Sequence, residues 1–94
     1  MPATVAELQR VGLFASLPGE TLTRLAEHTE RIEIPSGGRF GSTDAATDVL
    51  LTGLARGGDG LLRPGGVAAE RATAITACVV ARCDRVTLEG ILRR

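Results

Sequence analysis

Residues able to do chemistry are sparse in this chain of 94 residues. There is one histidine, His28, and there are two cysteines, Cys78 and Cys83. Ser16, Ser36 and Ser42 have no histidine close to them, so a Ser-His-Asp triad has no support. The carboxylates are spread along the chain without a pair at catalytic or metal-ligand spacing. One imidazole and two thiols do not close a tetrahedral zinc site without carboxylates. The expectation is a chain with no catalytic residues, no metal and no enzymatic activity. His28 reads as a solvated helix residue, because no partner stands beside it. Cys78 and Cys83 are five residues apart. On an extended strand an odd spacing puts them on opposite faces, so they read as small buried hydrophobes rather than a redox pair.

Glycine-rich turns are the remaining chemical candidates. Gly57-Gly58-Asp59-Gly60 lacks the Gly-Lys-Ser/Thr ending and the following helix of a phosphate loop, and reads as a tight hairpin turn. Gly65 and Gly66, after Pro64, have two readings: backbone amides offered to an anion, or turn glycines without a ligand.

Three stretches must position these residues. Residues 1–30 read as a helical lead-in. Val5, Leu8 and Val11 form a short amphipathic turn or two, Phe14 and Leu17 follow as an apolar pair, and Pro18 opens a second helix. Leu22, Leu25, Ala26 and Thr29 mark one face of that helix at i, i+3, i+4, i+7. Residues 31–83 change period. Arg31-Ile32-Glu33-Ile34, Arg39-Phe40, Asp48 to Thr52, Leu54 to Arg56, Leu61 to Arg63, Ala72 to Ala77 and Val79 to Cys83 read as short strands between Gly- and Pro-containing turns. From residue 84 to 94 a short helix follows, capped by Asp84. The fold class is mainly β with flanking helices: a small antiparallel, jelly-roll-like β roll forming one domain over 1–94. Phe14, Leu17, Leu22, Leu25, Ile32, Ile34, Val49, Leu51, Ile75, Val79, Leu88 and Leu92 are expected in the core.

Composition narrows the function classes. Hydrophobic residues make up 44%, which argues against intrinsic disorder. Eleven basic residues balance eleven acidic ones. A general nucleic-acid or anionic-membrane binder would carry a basic excess. Two Phe, with no Trp or Tyr, leave no platform for base stacking. The longest apolar-looking stretch, Ala74 to Ala81, is far short of the ~20 residues that span a bilayer. The first residues lack the basic and apolar regions of a signal peptide, so a cytoplasmic location is expected. No nucleic acid and no membrane insertion are expected.

In order along the chain, a set of motifs resembles the cyclic nucleotide-binding domain family. They are Val11-Gly12-Leu13-Phe14-Ala15-Ser16-Leu17-Pro18, Leu22-Thr23-Arg24-Leu25-Ala26, Arg31-Ile32-Glu33-Ile34-Pro35-Ser36-Gly37-Gly38, Val49-Leu50-Leu51-Thr52-Gly53 and Leu62-Arg63-Pro64-Gly65. Arg71-Ala72-Thr73-Ala74-Ile75-Thr76-Ala77 looks like the cassette arginine and the strand after it, and Asp84 to Leu92 like the helix closing the roll. The resemblance implies a β roll whose ligand, if any, is a cyclic nucleotide. Its cassette is a short helix whose amides, with the arginine, hold the cyclic phosphate, while a glutamate takes the ribose 2′-hydroxyl. Mapped onto this sequence, the ligand candidates are Gly65, Gly66, Arg71, Ala72 and Thr73.

The cassette departs from that pattern. Only Val67, Ala68, Ala69 and Glu70 stand between Gly66 and Arg71, with no Gly-Glu pair among them. Glu70 adjoins Arg71 and is as well placed to neutralise it as to bind a ribose. No covering helix and no helix-turn-helix follow Arg94 in this sequence, so the transcription-factor branch is not expected. Two functions remain. One is a degenerate, non-catalytic domain that needs no cofactor and acts as a protein interaction or assembly module, pairing with another chain or with itself through exposed strand edges. The other is a small regulatory sensor that binds a cyclic nucleotide through Arg71.

Overall fold

The computed structural model describes residues 4–12, 14–58, 60–68 and 71–92, the last without its side chain. Helix α1 covers Val5–Gln9 and α2 Gly19–Glu27. Strands follow at Thr29–Ile34 (β1), Arg39–Phe40 (β2), Ala46–Thr52 (β3), Ala55–Gly57 (β4), Gly60–Leu62 (β5), Ala72–Ala74 (β6) and Cys78–Asp84 (β7). Helix α3, Arg85–Leu92, comes last. All strand pairings are antiparallel, in a three-stranded sheet ordered β1-β7-β3 and a four-stranded sheet ordered β2-β6-β4-β5. The fold is mainly β with flanking helices, as the patterning implies.

Local chemistry sets the helix ends. Thr4 and Glu7 form a capping box: the Thr4 hydroxyl accepts from the Glu7 amide, and Glu7 Oε1 accepts from the Thr4 amide at 3.0 Å. Asp84 caps α3 by accepting from the Thr87 amide at 3.0 Å and the Thr87 hydroxyl at 2.8 Å. These two bonds hold its carboxyl below the ordinary value. Pro18 stands at the N-cap of α2, one position before the first helical residue. The stripe of Leu22, Leu25, Ala26 and Thr29 is buried throughout, but the helix ends at Glu27. Thr29 is instead the first residue of β1, and its hydroxyl donates to the Leu25 carbonyl at 2.6 Å. The lead-in is thus less helical than its periodicity suggests: residues 10–17 are turns, apart from Leu13, which lies outside the described residues.

Strands β3 and β7 run through the middle of the molecule with both faces covered. On one face Val49, Ala81 and Cys83 pack with Leu8, Val11, Phe14, Leu22, Leu25, Leu88 and Ile91 from the helical layer. On the other, Leu50, Cys78 and Val80 pack with Ile34, Phe40, Ala55, Ala68, Ala72 and Ala74 between the sheets. The two cysteines are free, buried and in different clusters, as their odd spacing requires. Burial raises the pKa of both thiols and keeps them protonated.

Because β3 is covered on both sides, period-two reasoning selects the wrong leucine. Leu50 is fully buried, whereas Leu51 is half-buried at a bulge between the pairs Leu50↔Val80 and Thr52↔Val79. Ile75 also departs from expectation. Strand β6 stops at Ala74, and the Ile75 side chain lies in the following turn, 44% exposed. Leu17, Ile32 and Val79 are half-buried, and the Leu92 side chain lies outside the described residues. Gly53 ends β3 with φ +93°, and a Cβ there would lie 2.5 Å from the Ala77 carbonyl oxygen, so only glycine fits.

One polar group sits deep in this apolar frame. Asp48 of β3 is fully buried. Arg82 of β7, opposite it in register, donates Nε–H to Oδ1 at 2.8 Å and Nη2–H to Oδ2 at 2.9 Å. The Gly41 amide donates to Oδ2 at 3.1 Å. Removing one partner of such a pair costs about 3–5 kcal/mol, because the other is left buried and uncompensated. Asp48 is fully buried while the Arg82 side chain is 39% exposed, so Arg82→Met, which strands the carboxylate, is expected to lower the unfolding free energy by about that amount in urea titration, with Asp48→Leu/Arg82→Met losing less.

A second prediction concerns acid. The Thr4 amide, aided by Arg31, whose Nε–H reaches Glu7 Oε2 at 3.1 Å, holds the Glu7 carboxyl below its ordinary value. A lowered folded pKa contributes stability that is present above the ordinary carboxylate value and is lost as pH falls through the folded value. The melting temperature should fall over that acid window, and Glu7→Gln should flatten that part of the profile.

Candidate ligand site

The segment from Arg63 to Ala68 carries two of the ligand candidates, Gly65 and Gly66. It opens with a type II turn: the Gly66 amide donates to the Arg63 carbonyl at 2.9 Å, Pro64 takes the second position, and Gly65 has φ +92°. The chain then runs extended along the outer edge of β3. The Gly65 amide donates to the Leu50 carbonyl at 2.7 Å, and the Leu50 amide to the Gly66 carbonyl at 2.9 Å. Val67 bridges Val49, and the Ala68 amide donates to the Asp48 carbonyl at 2.8 Å. Ser42 fastens the far end: its Oγ donates to the Ala68 carbonyl at 2.6 Å and accepts from the Asp48 amide at 3.1 Å. The amides of Gly65, Gly66 and Ala68 all have internal partners, so none is free to hold an anion. Residues 63–68 are non-helical, and Ala69 and Glu70 lie outside the described residues.

Arg71 lies beyond this strap, exposed, before β6. With Arg39, Phe40, Ala72 and Thr73 it lines a shallow depression of about 610 Å³. Ala72 is buried opposite Phe40, and Thr73 is exposed opposite Arg39. The five candidates thus fall into two groups: Gly65 and Gly66 on the edge of β3, Arg71, Ala72 and Thr73 beside β2. Sequence reasoning missed Arg39. Its neighbour across the strands is fixed by the β2–β6 register, which has no local signal.

Among the described residues, small apolar side chains pack between the sheets. Ala68, 3% exposed, enters this space from the strap and packs with Leu50, Ala55, Ala72, Ala74 and Val80. Gly57 and Gly60 pair at the end of the β4–β5 hairpin, whose Asp59 is outside the described residues. His28 caps the C-terminus of α2 and is exposed beside Glu27, Glu30 and Asp84. Among the described residues no three His, Cys, Asp or Glu side chains converge as metal ligands would.

Known structures match this chain over nearly its whole length. A cyclic nucleotide-binding-like protein from Brucella abortus matches with a TM-score of 0.64 at 24% identity, covering 96% of this chain and 97% of the other. A putative cyclic nucleotide-binding protein from Geobacter metallireducens gives 0.76 at 20% identity, over 95% and 81%. The fold is that of the cyclic nucleotide-binding domains. A third structure, the regulatory subunit of a cAMP-independent protein kinase A from Trypanosoma brucei, gives 0.73 at 17% identity, over 94% of this chain and 41% of that one. No protein-family model and no curated protein sequence matches the chain. Within that fold, residues 65–68 of this chain run as an extended strap along β3.

That strap depends on Ser42. Ser42→Ala removes both hydroxyl bonds and leaves the part-buried Ala68 carbonyl and Asp48 amide without them. The expected loss is about 1–3 kcal/mol. Hydrogen exchange at the Ala68 and Gly65 amides should quicken before that of the β7 amides, because the strap opens locally.

Proposed function

We propose that this chain is a non-catalytic cyclic nucleotide-binding-like domain whose ligand site is degenerate and which acts as a protein interaction or assembly module. The observation that carries this reading is the strap at 63–68. Its Gly65 and Ala68 amides are spent on the edge of β3, its Gly66 amide on the turn itself, and its Ala68 packs in the inter-sheet core. A cyclic phosphate would need those amides free, together with an arginine and a carboxylate, each charge-assisted bond being worth ~1.5–3 kcal/mol. Two such bonds lost lower affinity on the order of a hundredfold or more. That the same fold serves a regulatory subunit described as cAMP-independent is consistent with this role. Strands β1, β2 and β5 stand at sheet edges and offer places for another chain, whereas the strap covers part of β3.

A sensor that binds nucleotide through Arg71 is the second reading. The pairing of Arg71 with Arg39 around one depression favours it, since two guanidinium groups attract an anion. Among the described residues no helix is long and apolar enough to cross a membrane. Two free buried thiols suit the reducing cytoplasm in which we place the domain.

Titration with cyclic AMP and cyclic GMP, followed by backbone NMR, separates the two readings. No saturable shift at the amides of Ala55, Ala68, Ala72 and Val80 is expected up to about 1 mM ligand. Saturable binding that Arg71→Ala abolishes would restore the sensor.

A further inference from the structure

The outer face of the four-stranded sheet carries a row of side chains that the interior does not use. Register places Arg39 of β2 opposite Thr73 of β6, Thr73 opposite Arg56 of β4, and Arg56 opposite Leu61 of β5. All four are exposed, while the strand neighbours Phe40, Ala55, Ala72 and Ala74 are buried. Alternation therefore points the whole row away from the core. Arg71, also exposed, lies two residues before Thr73 on the same side. Strand spacing puts the Cα atoms of Arg39 and Arg56 about 10 Å apart, with Arg71 about 7 Å along the strand from Thr73.

The described ion pairs join Arg31 to Glu7 and Glu33, and Arg82 to Asp48, and none involves Arg39, Arg56 or Arg71. Among the described residues, exposed Glu20, Glu27, Glu30, Glu33, Asp84 and Glu89 belong to α2, β1, β7 and α3, and Asp44 to the loop before β3. A chain of zero formal net charge thus gathers three guanidinium groups on one sheet face. The fold holds these like charges together, and a carboxylate lying between them would relieve their repulsion.

We propose that this face, with Arg39, Arg56 and Arg71 around Thr73 and Leu61 at the rim, docks a carboxylate-rich segment of a partner protein. The proposal rests on the interaction-module reading and names the partner's chemistry. All eleven basic residues of the chain are arginine, whose planar fork binds carboxylate through two parallel bonds. Leu61, 52% exposed on edge strand β5, adds apolar contact beside the charges. A nucleic acid fits less well. Both phenylalanines are buried, so no aromatic platform is exposed for bases.

The test uses the full chain and a short fluorescent peptide rich in glutamate and leucine. Anisotropy should show binding that weakens as salt rises. NMR shifts should centre on Arg56, Leu61 and Thr73. Arg39→Gln/Arg56→Gln should lose about tenfold in affinity. Arg10→Gln/Arg24→Gln, on the helical layer, should bind as wild type. Unchanged binding by the Arg39/Arg56 variant, shifts centred elsewhere, or displacement of the peptide by a single-stranded oligonucleotide at lower concentration would overturn the proposal. A cyclic AMP arm keeps the two readings apart. Shifts at Ala68 and Val80 would count against the degenerate-pocket reading, while failure of docking is read only from the peptide and the outer face.

Discussion

The buried carboxylate of Asp48 is the point on which several parts of the structure converge. It draws Arg82 of the neighbouring strand into a two-bond pair and takes the Gly41 amide from the loop after β2. The same residue's backbone receives Ser42 on one side and Ala68 on the other. A fully buried carboxylate is tolerable only when its oxygens are paired, so the positions of β3, β7, the 41–43 loop and the strap are mutually dependent. The pair thus selects one arrangement of these four segments from the several that apolar packing alone would allow.

This arrangement bears directly on ligand chemistry. A backbone amide serves an anion or a neighbouring carbonyl, but not both well. Here residues 65–68 run as an edge strand on β3, which takes the Gly65 and Ala68 amides. The apolar consequence follows from the same geometry: an extended strap turns Ala68 inward, where it completes the inter-sheet core. Polar satisfaction and packing agree, and Arg71 stands at the surface beside the depression it shares with Arg39.

Arg71 lies beside the outer face of the four-stranded sheet. Its companions are Arg39 and Thr73, and Arg56 lies one strand further across the sheet. The outer sheet face and the strand edges are the surfaces that the proposed interaction role would use. The small apolar residues behind that face, Ala55, Ala72 and Ala74, bring the two sheets close and support it.

Local signals in the sequence determined the elements that need only neighbours along the chain. The Asp84 cap, the turn glycines at 53 and 65, the 22/25/26/29 stripe and the opposite facing of Cys78 and Cys83 are all set within a few residues. Ordered motifs also carried the fold, because strand and turn spacing constrain how a β roll can close. Tertiary structure decided the rest. Whether Leu50 or Leu51 is buried depends on a bulge and on cover from both sides of β3. Whether the Gly65 amide is free depends on the Leu50 carbonyl of a strand edge fifteen residues earlier. Asp48 finds Arg82, and Arg39 finds Thr73 and Arg56, only through register between segments far apart in the chain. Such pairings carry no local signal, since the same residue types would suit a solvated strand equally well.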